Sequence, residues 1–168
     1  IRTPLHCSRL YKELILIAQD TTNYGTDIYN EKKLPELLEK LCQIDKLKWI
    51  RVLYSYPDKI DEKLLSVFNK YDKIIKYFDI PVQHCSDKIL KAMNRPGSRK
   101  ELTDKIALIR KTVPGVILRT TVIVGFPGET RNDFNELLEF VNEMKFERLG
   151  VFEYSREEGT KAYQLPSQ

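Results

Sequence analysis

The sequence predicts an α/β protein in which parallel β-strands alternate with α-helices. Five short runs rich in β-branched and aromatic residues have the length of strands, and helical patterns follow the first four of them. Parallel neighbours need a crossover, for which a helix is usual. The strand–glycine–helix junction at residues 116–130 resembles the corners at which such sheets hold ligands. Since five strands are too few for a closed eight-stranded barrel, we expect a barrel-like or open sheet.

Length and composition indicate one globular domain. The chain has 168 residues, of which 42% are hydrophobic and 31% charged. No apolar run reaches the roughly 18 residues of a membrane span and no signal-peptide pattern opens the chain, so we expect a cytoplasmic protein without a membrane partner. The net charge of +4 is spread along the sequence, and it neither requires nor excludes RNA.

The first half contains two predicted strands and two helices. Strand 13–18 stops at a polar loop that contains Gly25, and a helix with leucines at helical spacing covers residues 34–44. Strand 49–54 ends at Ser55-Tyr56-Pro57, after which Asp61 is expected to cap the next helix.

The second half continues the alternation. Strand 77–81 leads to a brief helix at 86–93, and Ser98 with Glu101 predicts a capping box for a longer helix. After strand 116–124 and the turn 125–128, Thr130 and Asp133 predict a capping box of acidic type. The last strand is placed at 149–154 and an irregular tail at 155–168. The glycines of the turn also have a simpler reading, since many loops contain glycine only to turn.

Polar residues follow most of the predicted strands. In parallel sheets functional groups gather at the carboxyl ends of strands, and few of these residues are charged, which suits an uncharged or zwitterionic ligand. The alternative for each residue is an ordinary loop side chain, and two histidines cannot form a histidine cluster. The strand-end pairs are Gln19-Asp20, Ser55-Tyr56, Gln83-His84, Val124-Gly125 and Tyr154-Ser155.

The three cysteines give no metal motif. Cys7, Cys42 and Cys85 are far apart, without the short spacings of zinc or iron–sulfur sites. Cys42 lies on the apolar side of a helix, where cysteine usually acts as a small core residue. We therefore predict no metal ligand in this chain.

Five segments in order resemble the radical SAM methylthiotransferases. They are ELILIAQDTTNYG, WIRVLYSYP, YFDIPVQHCSDKILKAMNR, LRTTVIVGFPGET and ERLGVFEYSREEGT. Within that family the chain is most similar to the branch that modifies an aspartate of a small-subunit ribosomal protein. In the tRNA-modifying branch a serine-glycine tends to follow the glutamine of the PVQ motif, whereas His84 follows Gln83 here.

The resemblance implies a partial (β/α)6 radical SAM barrel that holds S-adenosylmethionine across its strand ends. It implies a core at 13–154, a truncated N-terminal remnant at 1–12 with the first βα unit incomplete or missing, and a tail at 155–168 that leads to an absent C-terminal domain. Full-length members carry two 4Fe-4S clusters. In its reduced state, one of them cleaves S-adenosylmethionine to a 5′-deoxyadenosyl radical. This radical abstracts hydrogen from the aspartate β-carbon, after which sulfur and methyl groups are delivered.

Eight residues would contact S-adenosylmethionine by their positions in the matching motifs. Gln19 and Asp20 would lie near the methionine part, and Gln83 and His84 near the ribose or the substrate. Val124, Gly125 and Phe152 would lie near the adenine. The arginine would lie near the methionine carboxylate or the substrate. The eight are Gln19, Asp20, Gln83, His84, Arg119, Val124, Gly125 and Phe152.

The cluster-binding CxxxCxxC triplet of the family does not occur in the sequence. Because iron–sulfur chemistry needs thiolate ligands, we expect this polypeptide alone not to turn over. Two other functions remain open: the core of a tRNA adenosine methylthiotransferase, and a cluster-less module that binds S-adenosylmethionine or a partner. We expect a monomer that acts on a ribosomal protein and contacts the ribosome.

Overall fold

The computed structural model describes residues 12–165 and contains five strands and six α-helices in alternation. The strands are β1 (Glu13–Leu16), β2 (Trp49–Val52), β3 (Tyr77–Asp79), β4 (Ile117–Val124) and β5 (Arg148–Glu153). The helices are α1 (Thr26–Tyr29), α2 (Leu34–Cys42), α3 (Glu62–Lys70), α4 (Asp87–Ala92), α5 (Arg99–Thr112) and α6 (Arg131–Met144). Short 3-10 helices occur at Thr21–Asn23, Pro57–Lys59 and Lys161–Gln164.

All strand pairs are parallel, and the strands follow one another in chain order. β1 pairs with β2, and β3, β4 and β5 form a second ladder. A bridge between Ile50 and Ile74 joins the two ladders, and the Ser55 amide donates to the Asp79 carbonyl at 2.8 Å. The predicted α/β class with parallel strands is therefore confirmed, in an arc consistent with a partial barrel. The expected N-terminal remnant lies, except for Lys12, outside the described residues.

The hydrophobic core lies between one face of the sheet and the helices. Along β4, Leu118, Thr120 and Val122 are buried, whereas Arg119 and Thr121 between them are partly exposed. Phe78 of β3 is fully buried, and its ring stacks on Phe68 of α3 with 4.2 Å between centroids. The face that carries this core is called the outer face below, and the opposite face is called the inner face.

Local sequence signals begin three of the helices. The Asp61 carboxylate accepts the Leu64 amide at 2.8 Å, and Thr130 and Asp133 form the complete capping box that the sequence predicts. At Ser98 the prediction is half correct. The hydroxyl accepts the Glu101 amide, but the Glu101 carboxylate binds the Ser98 hydroxyl instead of the backbone N–H group.

The end of β3 differs from the predicted strand 77–81. The strand stops at Asp79, and the chain rejoins β4 through a bridge between Gln83 and Val122. Pro81 has no N–H group and cannot continue the ladder. Gln83 then adopts a left-handed conformation with φ of 68°, which turns the chain before its amide donates to the Thr121 carbonyl at 2.8 Å.

Two segments predicted as irregular contain short helices: the loop after β1 contains a 3-10 helix and α1, and the C-terminal tail contains a 3-10 helix. Each of these three helices is about a single turn long, below the length at which hydrophobic periodicity can be read. Within residues 12–165, no helix is long and apolar enough to cross a membrane.

Candidate functional site

The end of β1 places Gln19 and Asp20 beside an open depression. Gln19 is exposed, whereas the Asp20 carboxylate is engaged: its Oδ2 lies 2.6 Å from Lys59 Nζ, and its Oδ1 accepts the Thr22 hydroxyl. The depression has a volume of about 620 Å³ and is also lined by Tyr24 and other residues of that loop. Gln19 is thus the more accessible of the two for a ligand.

The glycine turn after β4 is clamped from inside by Glu129. The Oε2 atom of Glu129 accepts the amides of both Gly125 and Phe126, the second at 3.1 Å. These two N–H groups are therefore paired within the turn and are not free to bind a ligand. Gly125 instead offers an open surface, because its φ is +74° and a Cβ added there would meet nothing within 4 Å.

His84 lies behind this turn, fully buried. Its Nδ1 accepts the Ser86 amide at 2.9 Å, and its Nε2 lies 3.7 Å from Glu129 Oε1. Burial lowers the pKa of His84, and the Glu129 carboxylate offsets only part of that effect, so the imidazole is neutral at pH 7. His84 contacts the protein interior here, and its predicted contact with the ribose or the substrate remains a prediction.

Asp133 joins the start of α6 to the start of α4. Its carboxylate accepts the Ser86 hydroxyl at 2.7 Å, Lys88 Nζ at 3.0 Å and the Thr130 amide at 2.9 Å. Burial raises the pKa of Asp133, but these hydrogen bonds outweigh it and hold the pKa well below its usual range. Sequence reasoning identified Asp133 as a helix cap but missed its bonds to Ser86 and Lys88.

Arg119 lies on the inner face of β4, as expected for an interior polar group. Its Nη1 binds Asp79 Oδ1 at 2.7 Å, and the Asp79 side chain is only 4% exposed. Two positions further along the same face, Thr121 is level with Gly150, and Ile123 is level with Phe152. Phe152 is 58% exposed, so the inner face offers an apolar ring surface close to the glycine turn.

Replacing Arg119 with methionine is expected to destabilise the fold by about 2 kcal/mol, between the values for exposed and buried ion pairs. The loss leaves the nearly buried Asp79 carboxylate without its cation. The double variant Asp79→Asn, Arg119→Met should recover part of the loss, because the uncompensated charge is gone. Urea denaturation measures both, and equal stabilities of the single and double variants would contradict this explanation.

The described residues do not supply ligands for an iron–sulfur cluster. No group of three or more histidine, cysteine or acidic side chains within residues 12–165 could hold a metal ion. Cys42 is buried in α2 and Cys85 is buried between β3 and α4, and burial raises the pKa of Cys85 to about 12, which opposes formation of the thiolate. Cys7 lies outside the described residues.

Comparison with known proteins identifies the family. Residues 6–141 match the family described as the Radical SAM superfamily. The chain belongs to that superfamily. The structure of coproporphyrinogen III oxidase HemN from Escherichia coli, itself described as a radical SAM enzyme, has the same fold with a TM-score of 0.64 at 18% identity. The alignment covers 79% of this chain and 33% of HemN.

Curated relatives are far more similar in sequence. The ribosomal protein uS12 methylthiotransferase RimO of Clostridioides difficile (strain 630) is 58% identical over 156 residues, which is 93% of this chain and 35% of that protein. The RimO of Alkaliphilus oremlandii (strain OhILAs) is 56% identical over 157 residues, or 94% of this chain and 36% of that protein. The resemblance drawn from the motifs is confirmed, and the chain spans about a third of these relatives' length.

Proposed function

We propose that this chain is the S-adenosylmethionine-binding core of a methylthiotransferase that modifies an aspartate of ribosomal protein uS12. The identity of 58% to a protein of that name, over almost the whole chain, carries the proposal. It also favours uS12 over transfer RNA, the alternative that the sequence left open. Deletion of the gene that encodes this chain tests the substrate: methylthiolation of uS12 in cells, read by mass spectrometry, should be lost, and loss of a tRNA modification in its place would contradict the proposal.

The inner face at the carboxyl ends of the strands suits S-adenosylmethionine. The open surface of Gly125 and the exposed ring of Phe152 fit the adenine, and Arg119 lies on the same face as Phe152. Gln83 Oε1 is buried and has no hydrogen-bond partner within residues 12–165, as expected of an atom that a ligand would satisfy. Radical SAM enzymes use this cofactor with a 4Fe-4S cluster, and together they supply a 5′-deoxyadenosyl radical when bound. The described residues contribute binding surface, not cluster ligands.

Substituting Gly125 with alanine tests this placement, and Gly115 provides a matched control. Both glycines have similar φ values, +74° and +76°, and a Cβ at either would meet nothing within 4 Å. Each substitution should therefore destabilise the fold similarly, by about 1 kcal/mol, because alanine disfavours this conformation.

Of the two added methyl groups, only that of Gly125→Ala would lie on the proposed adenine surface. We expect Gly125→Ala to weaken binding of S-adenosylhomocysteine, an unreactive analogue, by about tenfold or more, the equivalent of about 1.4 kcal/mol. Gly115→Ala should bind as the unmodified chain does. Titration followed by NMR measures weak affinities directly, and equal binding by the two variants would place the ligand elsewhere.

A further inference from the structure

We propose that His84 is a positioning residue that acts through Glu129: it holds the glycine turn in the shape that receives the adenine end of S-adenosylmethionine. The inference rests on the proposed function for the identity of the ligand. It replaces direct contact between His84 and the ligand with an indirect role, because the imidazole is fully buried and lies next to the acid that clamps the turn.

The two oxygens of Glu129 face different parts of the site. Oε2 accepts the amides of Gly125 and Phe126 and so fixes the backbone of the turn. Oε1 is buried and lies 3.7 Å from His84 Nε2. Within residues 12–165, neither Oε1 nor Nε2 has a hydrogen-bond partner, although the side chains are only 6% and 0% exposed. A buried polar atom without a hydrogen-bond partner destabilises the fold. Here the two atoms could satisfy each other, with Oε1 as the acceptor and Nε2 as the donor.

The surroundings of His84 determine which nitrogen carries the proton. Nδ1 accepts the Ser86 amide at 2.9 Å and must be unprotonated there, so the proton of the neutral ring is assigned to Nε2. That N–H group is the one next to Glu129 Oε1. The Ser86 hydroxyl is in turn held by Asp133 at 2.7 Å, so the ring is anchored to the start of α6, a few residues beyond Glu129.

The 3.7 Å between His84 Nε2 and Glu129 Oε1 is longer than a hydrogen bond, and this distance shortens when the ligand binds. Catalytic hydrogen bonds are often long in unliganded sites and tighten when the ligand binds. A ligand packed on Gly125 contacts the residue whose amide binds Glu129 Oε2. The His84 N–H group then donates to Glu129 Oε1 and keeps the carboxylate in place. Without that donor, Glu129 would hold the turn less firmly in both states.

Two substitutions of His84 separate this role from a purely structural one. Glutamine places an amide near the position of Nε2 and can still donate to Glu129, whereas asparagine reaches only the position of Nδ1 and can still accept the Ser86 amide. If His84 acts through Glu129, His84→Gln should preserve the turn and His84→Asn should not. If His84 only fills space or binds Ser86, the asparagine variant should be the better one.

The first readout needs no ligand. Hydrogen exchange of the Gly125 and Phe126 amides should be faster in His84→Asn by about tenfold, the effect expected for loss of one hydrogen bond to a charged group, and close to the unmodified rate in His84→Gln. Unchanged exchange in His84→Asn overturns the proposal. Faster exchange there, with no binding of S-adenosylhomocysteine by the unmodified chain, supports the positioning role and contradicts the proposed function.

The second readout is S-adenosylhomocysteine affinity, which should fall about tenfold in His84→Asn and be largely restored in His84→Gln.

A third readout uses the unmodified chain and does not depend on a folded variant. With two histidines in the sequence, the imidazole nitrogens can be assigned by NMR. We expect His84 as the neutral tautomer with its proton on Nε2, shifted downfield when the ligand is added. A proton on Nδ1 would overturn the assignment.

Discussion

Phe78→Ala is expected to destabilise the fold by about 3–5 kcal/mol, the usual result of removing a large aromatic side chain from a core. Phe78 is fully buried on the outer face of β3, and its ring stacks on Phe68 at 4.2 Å. Alanine would leave a cavity between the sheet and α3 that the packed neighbours could fill only in part. Because small domains have free energies of unfolding of about 5–15 kcal/mol, the loss is a large share of the total.

Phe152→Ala is the matched control, since it removes the same atoms from a ring that is 58% exposed. It should change the free energy of unfolding by about 0.5 kcal/mol at most. Urea denaturation followed by circular dichroism measures both variants. Similar losses in the two would show that stability does not reside mainly on the outer face.

Asp133→Ala is expected to destabilise the fold by about 2–4 kcal/mol, combining loss of the cap of α6 with a buried hydroxyl left without its acceptor. The Asp133 carboxylate binds Thr130, Ser86 and Lys88 together, and Ser86 is only 3% exposed, so little solvent can replace the carboxylate there. Asp104→Ala is the control, because that carboxylate is 63% exposed and, among the residues that the structure describes, forms an ion pair with Lys100 alone. Its effect should stay within about 0.5 kcal/mol.

The contribution of Asp133 should depend on pH in a defined direction. Its pKa is lowered in the folded state, so the carboxylate stabilises the fold fully above the unfolded pKa of about 3.9 and progressively less as the pH falls towards the folded value. The stability difference between the unmodified chain and Asp133→Asn should therefore shrink below about pH 4. A difference that stays constant from pH 7 to pH 3 would contradict a charge-based role.

The features that the sequence predicted well are those encoded by neighbouring residues. The β-branched run of β4 and the capping box of Thr130 and Asp133 are local, and the structure contains both. The position of Arg119 on the inner face follows from the same alternation. Its partner Asp79 lies 40 residues earlier in the chain, and no periodicity connects the two.

The features that the sequence did not predict depend on long-range contacts. His84 is buried beside Glu129, which lies 3.7 Å away although it follows 45 positions later in the chain. The contact of Asp133 with Ser86 could not be predicted, because the cap function already accounted for an acid at position 133. The two residues are also 47 positions apart in the sequence. Pro81 gave a usable signal: a proline within a predicted strand argues for an interruption, and the structure has one between Asp79 and the bridge at Gln83.

The alternation along β4 separates two sets of constraints within one strand. Leu118, Thr120 and Val122 belong to the core, and Arg119, Thr121 and Ile123 face the side on which the cofactor is proposed to lie. Changes at Thr121 and Ile123 would alter the surface offered to a ligand while leaving the packing of the first set intact, whereas Arg119 is also tied to the fold through Asp79. The buried residues of the strand can therefore stay constant as a scaffold, while the alternate residues on the inner face vary with the ligand that is held.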